Sequence, residues 1–398
     1  MEFKNITAAV LGSTGSVGCQ AIDALGELGV KINMLSAGTN AARLIEQARL
    51  VRPEIIATPS EDCAREVKLA LSDMDVTVLG GENAVCDAIK MCGADLIVHS
   101  IAGLAGLPAA LCAADTGARI AMANKEALIS AGHLIYEKLA KSGGELIPVD
   151  SEHSAIFQCL SAQRAERTST QADSSKVRRI ILTASGGPFF GWKSEQLDTV
   201  TPAMALAHPT WKMGPKITID CATLMNKGFE LIEACRLFGV DEDKVDVLIH
   251  RQSIIHSMVE YIDTSVIAQL SYPDMRDCVR YALTYPDRAP AGSPPLDFAK
   301  IGTLTFHEPD NEAFPLLSLA RQVWRAGGCA PTSLIAADEE AVAAFLREEI
   351  TFGDIARVVT DAIGKCPMLC ADSEEAIFAA EAEARAITKE ILRTFKRA

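Results

Sequence analysis

A short apolar run that meets a glycine-rich turn constrains this chain more than any other feature. Ile6–Leu11 is strand-like, Gly12-Ser-Thr-Gly15-Ser-Val-Gly18 follows, and a helical pattern runs on to Leu28. A strand passing through bare glycine backbone into a helix leaves unpaired N–H groups at the helix N-terminus, where a pyrophosphate can be taken up. The glycines are spaced three apart, so the middle one is displaced by one residue from G-x-G-x-x-G, and Ser13, Thr14 and Ser16 add hydroxyl donors. The alternative is a tight strand-to-helix turn with no ligand.

The alternation continues through Ile32–Ser36, a helix over Ala41–Val51, Ile55–Ala57, a helix through Leu71, Val76–Leu79, a helix through Met91, and Leu96–His99. Strands joined by crossover helices predict a doubly wound parallel sheet, an α/β fold, over residues 1–150. A central α+β domain is expected over 151–288, with Ile217–Asp220, Val245–His250 and Val266–Leu270 as strands and Leu224–Phe238 and Met275–Thr284 as helices. Within it the polar run 163–177 reads as a surface excursion. Pro286, Pro290, Pro294, Pro295 and Pro309 mark an extended linker over 289–311, because proline cannot donate to a helix or sheet ladder. Residues 312–398 read as a small helical domain, with helical spacing in Leu316–Ala326, Ser333–Glu348 and Glu374–Lys396.

Composition removes several function classes. With 38 Lys+Arg against 52 Asp+Glu the formal charge is −14, the wrong sign for a chain whose main partner is nucleic acid. No apolar run approaches the roughly 18 to 20 residues needed to cross a bilayer, and the chain enters a strand-like segment almost at once. Twelve cysteines stand as singletons among apolar neighbours, which reads as free thiols in a reducing compartment. Cys366 and Cys370 lack a second Cys or His pair at zinc spacing. A leaderless cytoplasmic protein is expected.

An NAD site usually carries a carboxylate at the end of the second strand, where it bonds the ribose and repels a 2′-phosphate. Here that position reads Ser36-Ala37-Gly38-Thr39-Asn40, and the next charge is Arg43. This favours NADP(H), with Arg43 either at the phosphate or simply solvated. Further on, Asp150-Ser151-Glu152-His153 follows an apolar run. In an extended segment residues 150 and 152 share a face and could offer hard oxygens to Mg2+ or Mn2+; the same letters could equally be a capped helix start. A second segment, Asp220 to Glu230, supplies Asn226 and Lys227 for a phosphate and a carboxylate, Glu230, one turn along a helix. Between the two lie the small-residue loop Ser185-Gly186-Gly187-Pro188 and the segment His208-Pro-Thr-Trp211-Lys-Met213-Gly214, which reads as a mobile loop with a bulky cover.

Taken in order, GSTGSVG, ANKEALI (123–129), PVDSEHSAIFQ (148–158), SGGPF (185–189), HPTWKMG (208–214), ATLMNKGFE (222–230) and QSIIHSMV (252–259) resemble the 1-deoxy-D-xylulose 5-phosphate reductoisomerase family through the whole chain. The resemblance implies an NADPH-dependent enzyme of isoprenoid precursor synthesis that uses Mg2+ or Mn2+ to rearrange and reduce a phosphorylated sugar. It also implies a homodimer formed through the central domain. Asp150, Glu152 and Glu230 would hold the metal and act catalytically with Lys125, with Ser151 beside the reacting oxygens. Ser185, Asn226, Lys227 and, in place of the family's usual Ser, Cys221 would meet the phosphate. His208 would line the pocket, Trp211 would cover it, and Met213 would lie near the nicotinamide. Ser13, Thr14, Gly15, Ser16, Val17, Gly38, Thr39, Asn40, Asn124, Glu126 and Gly214 would contact NADPH, with His153 and His256 in support. Thr39 stands where some members carry Lys, and Arg251 where the family usually has Pro. The rival readings are an NADP-dependent dehydrogenase without skeletal rearrangement, which need not use a metal, and a silent NADP-binding sensor, which needs no metal site.

Overall fold

The computed structural model of the protein describes residues 6–161, 170, 173, 175–211, 213–290 and 292–395. The polar run 163–177 therefore lies largely outside the described residues. The N-terminal part alternates β1 (Thr7–Leu11), α1 (Ser16–Leu28), β2 (Lys31–Ser36), α2 (Ala41–Val51), β3 (Ile55–Thr58), α3 (Glu61–Ala70) and β4 (Thr77–Gly80). It continues with α4 (Ala84–Cys92), β5 (Leu96–His99), α5 (Leu107–Ala114), β6 (Arg119–Met122), α6 (Lys125–Ser142) and β7 (Glu145–Pro148). Ala8, Ala9, Val10 and Leu11 are all fully buried, so β1 shows no in–out alternation; helices cover both of its faces. The seven strands are parallel, in the order β4-β3-β2-β1-β5-β6-β7. The chain winds one way from β1 and then the other way from β5. This reversal opens a crevice at the C-terminal ends of β1 and β5, where such sheets bind ligands.

The second part begins with α7 (Ser151–Cys159), then β8 (Val177–Ala184), the short helices α8 (Ser194–Leu197) and α9 (Pro202–Ala205), α10 (Pro215–Thr223) and α11 (Met225–Phe238). After them come β9 (Val245–Ile249), β10 (Ile255–Tyr261), β11 (Val266–Leu270) and α12 (Met275–Thr284). Its sheet runs β11-β10-β8-β9, antiparallel except for β8 beside β9. Two expectations are corrected. Ile217–Asp220 is helix, not strand: Gly214-Pro215 starts α10 with Pro in its first turn, and a four-residue alternation cannot outweigh that start. Asp150 and Glu152 do not share an extended segment, because Asp150 is the N-cap of α7 and accepts from the Glu152 amide at 3.3 Å.

The proline-rich stretch holds one helical turn, α13 (Phe298–Ile301), and lays His307 beside Ile249 at the edge of β9. Four helices follow, α14 (Leu316–Ala326), α15 (Ala330–Leu346), α16 (Phe352–Lys365) and α17 (Glu374–Phe395). They pack on one another, and through α14 and α15 on α11, α6 and α10. Polar contacts fasten this layer down, among them a buried one on α10. Lys216 of α10 lies 2.6 Å from Asp220 and 2.8 Å from Asp338 of α15, whose side chain is fully buried. Burial and the neighbouring Asp338 charge push the Asp220 carboxyl well above its usual range, and the two acids share the one ammonium of Lys216. No helix of the described residues is long and apolar enough to cross a membrane.

Candidate active site

The glycine turn occupies the crevice where the strand order reverses. Gly12 has φ +75°, and a Cβ there would lie 2.6 Å from the Ser100 carbonyl oxygen; one on Gly18 would lie 2.4 Å from the Gly12 oxygen. Turn, helix and neighbouring strand approach closer than any side chain permits. Gly15 is the N-cap of α1, and no side chain caps that end, so the first amides of the helix remain available to an anion beside Thr14, Ser16 and Val17. Ser13 behaves differently from the other hydroxyls. It is fully buried, its Oγ donates to Gln47 at 2.7 Å, and its carbonyl accepts from the same side chain. Its hydroxyl thus locks the turn onto α2 and does not face a ligand.

At the end of β2, Gly38, Thr39 and Asn40 are exposed, and Asn40 caps α2 by accepting from the Arg43 amide at 3.1 Å. Arg43 is itself paired with Glu46 at 2.8 Å. Asn124 is buried, with its amide bonded to the Ile101 and Gly103 carbonyls and its oxygen capping α6. It shapes the crevice floor from within, while Glu126 two residues on is half-buried.

Lys125 follows Asn124 and reaches from the crevice into a second cluster. Its Nζ lies 2.9 Å from Asp150, 2.9 Å from the Asn226 oxygen and 3.5 Å from Glu230. Lys227 Nζ lies 2.9 Å from Glu152 and also contacts Glu230, and the Asn226 amide donates to Glu230. Helix α11 is buried almost all round, so its polar residues must satisfy one another. Leu224, at φ +61°, provides the sharp joint from α10 that aims Asn226, Lys227, Glu230 and Glu233 into this space. One oxygen from each of Asp150, Glu152 and Glu230 lies within 4.8 Å of the others. An octahedral shell of radius about 2.0–2.1 Å places its donors roughly 3 to 4 Å apart, so three hard oxygens at this spacing fit Mg2+ or Mn2+. Burial and then the Glu152 charge raise the Glu230 carboxyl. Burial disfavours charge on Lys125, but Asp150 and Glu230 outweigh it and hold the ammonium well above its usual range.

A residue of this cluster that sequence reasoning missed is Glu233. His153 Nδ1 lies 3.2 Å from Asp150 and 3.4 Å from Glu233, and its Nε2 donates to the Glu230 carbonyl at 2.9 Å. Burial works against the imidazolium, yet Glu233 and Asp150 raise it to about 9. His153 thus bridges Asp150 and Glu233, and ligand atoms of these three also lie within 4.8 Å of one another. The available signal was the i,i+3 spacing from Glu230 on a helix with no polar face to spare.

Ser185 opens the loop after β8, where Gly186 and Gly187 have φ +75° and +63°. A Cβ on Gly187 would lie 2.9 Å from the Cys221 carbonyl and from Ala222 Cα, so the loop seats directly on the end of α10. Burial holds the Cys221 thiol neutral by raising it. His208 Nδ1 accepts from the Thr210 and Trp211 amides at 3.2 and 2.9 Å, which leaves the proton on Nε2, 3.0 Å from Ser185 Oγ. Burial and the Arg251 charge depress His208 to about 4, consistent with a neutral ring. Trp211 packs on His256, with ring centres 6.2 Å apart. Met213 and Gly214 follow at the start of α10, and Lys212 lies outside the described residues.

These motifs have relatives. The 1-deoxy-D-xylulose 5-phosphate reductoisomerase domain matches residues 8–132, its C-terminal domain matches 146–238, and a further DXP reductoisomerase C-terminal domain matches 270–387. The 1-deoxy-D-xylulose 5-phosphate reductoisomerase of Caulobacter vibrioides is 46% identical over 96% of both chains, and that of Pseudomonas syringae pv. tomato is 45% identical over 94% of this chain and 95% of its own. The enzyme from Zymomonas mobilis in complex with NADPH superposes with a TM-score of 0.90 at 39% identity, covering 98% of this chain and 99% of that one. A DOX-P reductoisomerase in complex with NADPH, fosmidomycin and magnesium gives 0.91 at 37% identity over 98% of each. Sequence and backbone agree over nearly the full length, and the chain belongs to the 1-deoxy-D-xylulose 5-phosphate reductoisomerase family.

Proposed function

We infer that this chain converts 1-deoxy-D-xylulose 5-phosphate into 2-C-methyl-D-erythritol 4-phosphate, using NADPH and a divalent cation, in isoprenoid precursor biosynthesis. The observation that carries the reading is the convergence of Asp150, Glu152 and Glu230 within 4.8 Å at the mouth of the dinucleotide crevice. Lys125 joins the two, since its neighbour Asn124 lies in the crevice and its own ammonium lies among the carboxylates. A dehydrogenase without rearrangement, or a binding sensor, does not account for one buried and two half-buried acids gathered there.

Asp150, Glu152 and Glu230 would hold Mg2+ or Mn2+. When bound, the ion supplies Lewis-acid stabilisation of negative charge on the substrate's oxygens, and the nicotinamide supplies hydride. Lys125 offers an ammonium donor beside the same oxygens. Ser151 donates to Glu152 and fixes that carboxylate's rotamer. Asn226 and Lys227 grip the phosphate with Ser185. Because both His208 Nε2 and the Gly187 amide donate to Ser185 Oγ, the hydroxyl proton is left free for an anion. The neutral Cys221 thiol is a weaker donor than a hydroxyl. Trp211, backed by His256, excludes water over the bound sugar. Gly38, Thr39 and Asn40 receive the adenosine end, and the lack of a carboxylate there favours NADPH over NADH.

Residues 1–150, 151–288, 289–311 and 312–398 serve as cofactor domain, catalytic and dimerisation domain, linker and helical domain in this reading. A second copy is the proposed partner. It would cover β11, the end strand of its sheet, on which Val266 and Ile267 are about half exposed, together with Ile262 in the turn before it, which is 66% exposed. Twelve free cysteines fit a reducing cytoplasm. The test is NADPH oxidation, followed by absorbance, with 1-deoxy-D-xylulose 5-phosphate and Mg2+ or Mn2+. Turnover should disappear with chelator and fall sharply with NADH. Absence of turnover with both metals would overturn the reading.

A further inference from the structure

Arg251 lies in the turn between β9 and β10, and its guanidinium is half-buried. Its Nη1 donates to the Ser185 carbonyl at 2.6 Å and the Gly187 carbonyl at 2.5 Å, and the group lies over the Phe190 ring at 5.3 Å. The other guanidinium donors have no hydrogen-bond partner among the described residues, and no carboxylate there pairs with the charge. Burial without an acid lowers this guanidinium's affinity for its proton, in contrast to the paired arginines Arg179 and Arg385. A partly desolvated cation without a counter-ion is costly unless an anionic ligand completes it.

Its position says which ligand. The carbonyls it clamps belong to the loop that carries the Ser185 hydroxyl, and its charge is felt at His208, the group bonded to that hydroxyl. In a trans peptide the N–H points opposite the C=O, so fixing the Ser185 carbonyl turns the Gly186 N–H away from the guanidinium. Gly187 cannot shift to compensate, because it is wedged against Cys221 and Ala222.

We propose that Arg251 is a phosphate-recognition residue of this chain: it clamps the 185–187 loop in its anion-binding form and adds a positive charge behind that loop, where it favours the substrate's phosphate through space. The proposal rests on the reading of that loop as the phosphate site. It also offsets the weak donor at Cys221, since a thiol there leaves the phosphate one strong hydrogen bond short. The residue acts on binding and touches no reacting atom.

The test uses the full-length enzyme with Arg251→Met, Arg251→Lys and Ser185→Ala. It measures kcat and KM for 1-deoxy-D-xylulose 5-phosphate, competitive inhibition by inorganic phosphate, and NADPH affinity. Arg251→Met should raise KM and weaken phosphate inhibition together by roughly tenfold, the low end for charge-assisted hydrogen bonds. Its kcat should change less than about threefold and its NADPH affinity not at all, the pattern of lost ground-state binding. Arg251→Lys should recover most of the loss. Unchanged KM and phosphate inhibition in Arg251→Met, or a lysine variant as weak as the methionine one, would overturn the role of the charge. If Ser185→Ala also leaves KM and phosphate inhibition unchanged, the assignment of the loop to phosphate fails instead.

Discussion

Two ammonium groups, Lys125 and Lys227, face Asp150, Glu152 and Glu230, and burial first, then the Glu152 charge, raises the Glu230 carboxyl. Its raised carboxyl must lose a proton before a cation is held, so cation affinity should weaken as pH falls through the carboxylate range. Glu230→Gln keeps the shape and removes the charge. Mn2+ affinity and metal-dependent turnover should each drop by more than the roughly hundredfold that loss of an outer-shell partner can cost. Equal Mn2+ titrations of the two proteins would remove Glu230 from the ligand set. At this scale much was legible, because Asp150, Glu152 and Glu230 lie in long motifs whose residue types have few other uses together. Ser13 and Glu233 were not. A hydroxyl turning inward to Gln47, and an acid facing an imidazolium, depend on which way a helix is buried, and no single residue type announces that.

Elements were readable where strand and helix periods ran long enough to separate. Five of the seven parallel strands announced themselves as apolar runs between crossover helices, whereas β6 and β7 were not singled out and α10 was misread because Ile217–Asp220 alternates for only four residues. The better signal was Gly214-Pro215, a helix start that outranks so short a pattern. Asp150 shows the two uses of one letter: it caps α7 and also faces Glu230, so the capped-helix and ligand readings describe the same side chain. Leu224 carried no signal, since a leucine in the left-handed region is stabilised by the helices on either side of it. The joint between β1 and α1 is the element most sensitive to volume. Gly18→Ala would drive a Cβ to 2.4 Å from the Gly12 oxygen and 2.7 Å from Ser13 Cα, both backbone. About 1–3 kcal/mol of stability should be lost to overpacking, with NADPH binding weakened more than metal binding. Calorimetric melting and separate NADPH and Mn2+ titrations would show it; equal losses for both ligands would point to general loosening.

Across the whole molecule, His99 couples the fold to acid. It is fully buried at the end of β5, its Nε2 bonds to the Gly106 carbonyl at 2.9 Å, and burial depresses it to about 4 from the ordinary 6.5. The unfolded chain therefore binds more protons between those values. Stability is fully present above about pH 6.5 and should fall by about 3 kcal/mol as pH drops to 4. Denaturant titrations of His99→Gln should give a flatter profile across that window, and an identical slope would assign the acid loss elsewhere. Association is the other property of this scale: the proposed pairing through β11 predicts that Ile267→Lys shifts light-scattering mass from dimer to monomer, whereas an unchanged mass would overturn pairing through that edge. Finally, Lys216 sits two residues beyond the cover segment and is tethered to α15 through Asp338. The C-terminal helices therefore act as the footing of a door hinge, far from the door in sequence yet bolted to its frame. A chain cut back into α15 would lose Asp338 and loosen the start of α10, and because α15 and α17 also rest on α6 the loosening would reach the cofactor side as well, so protein engineers seeking a smaller catalyst should trim elsewhere.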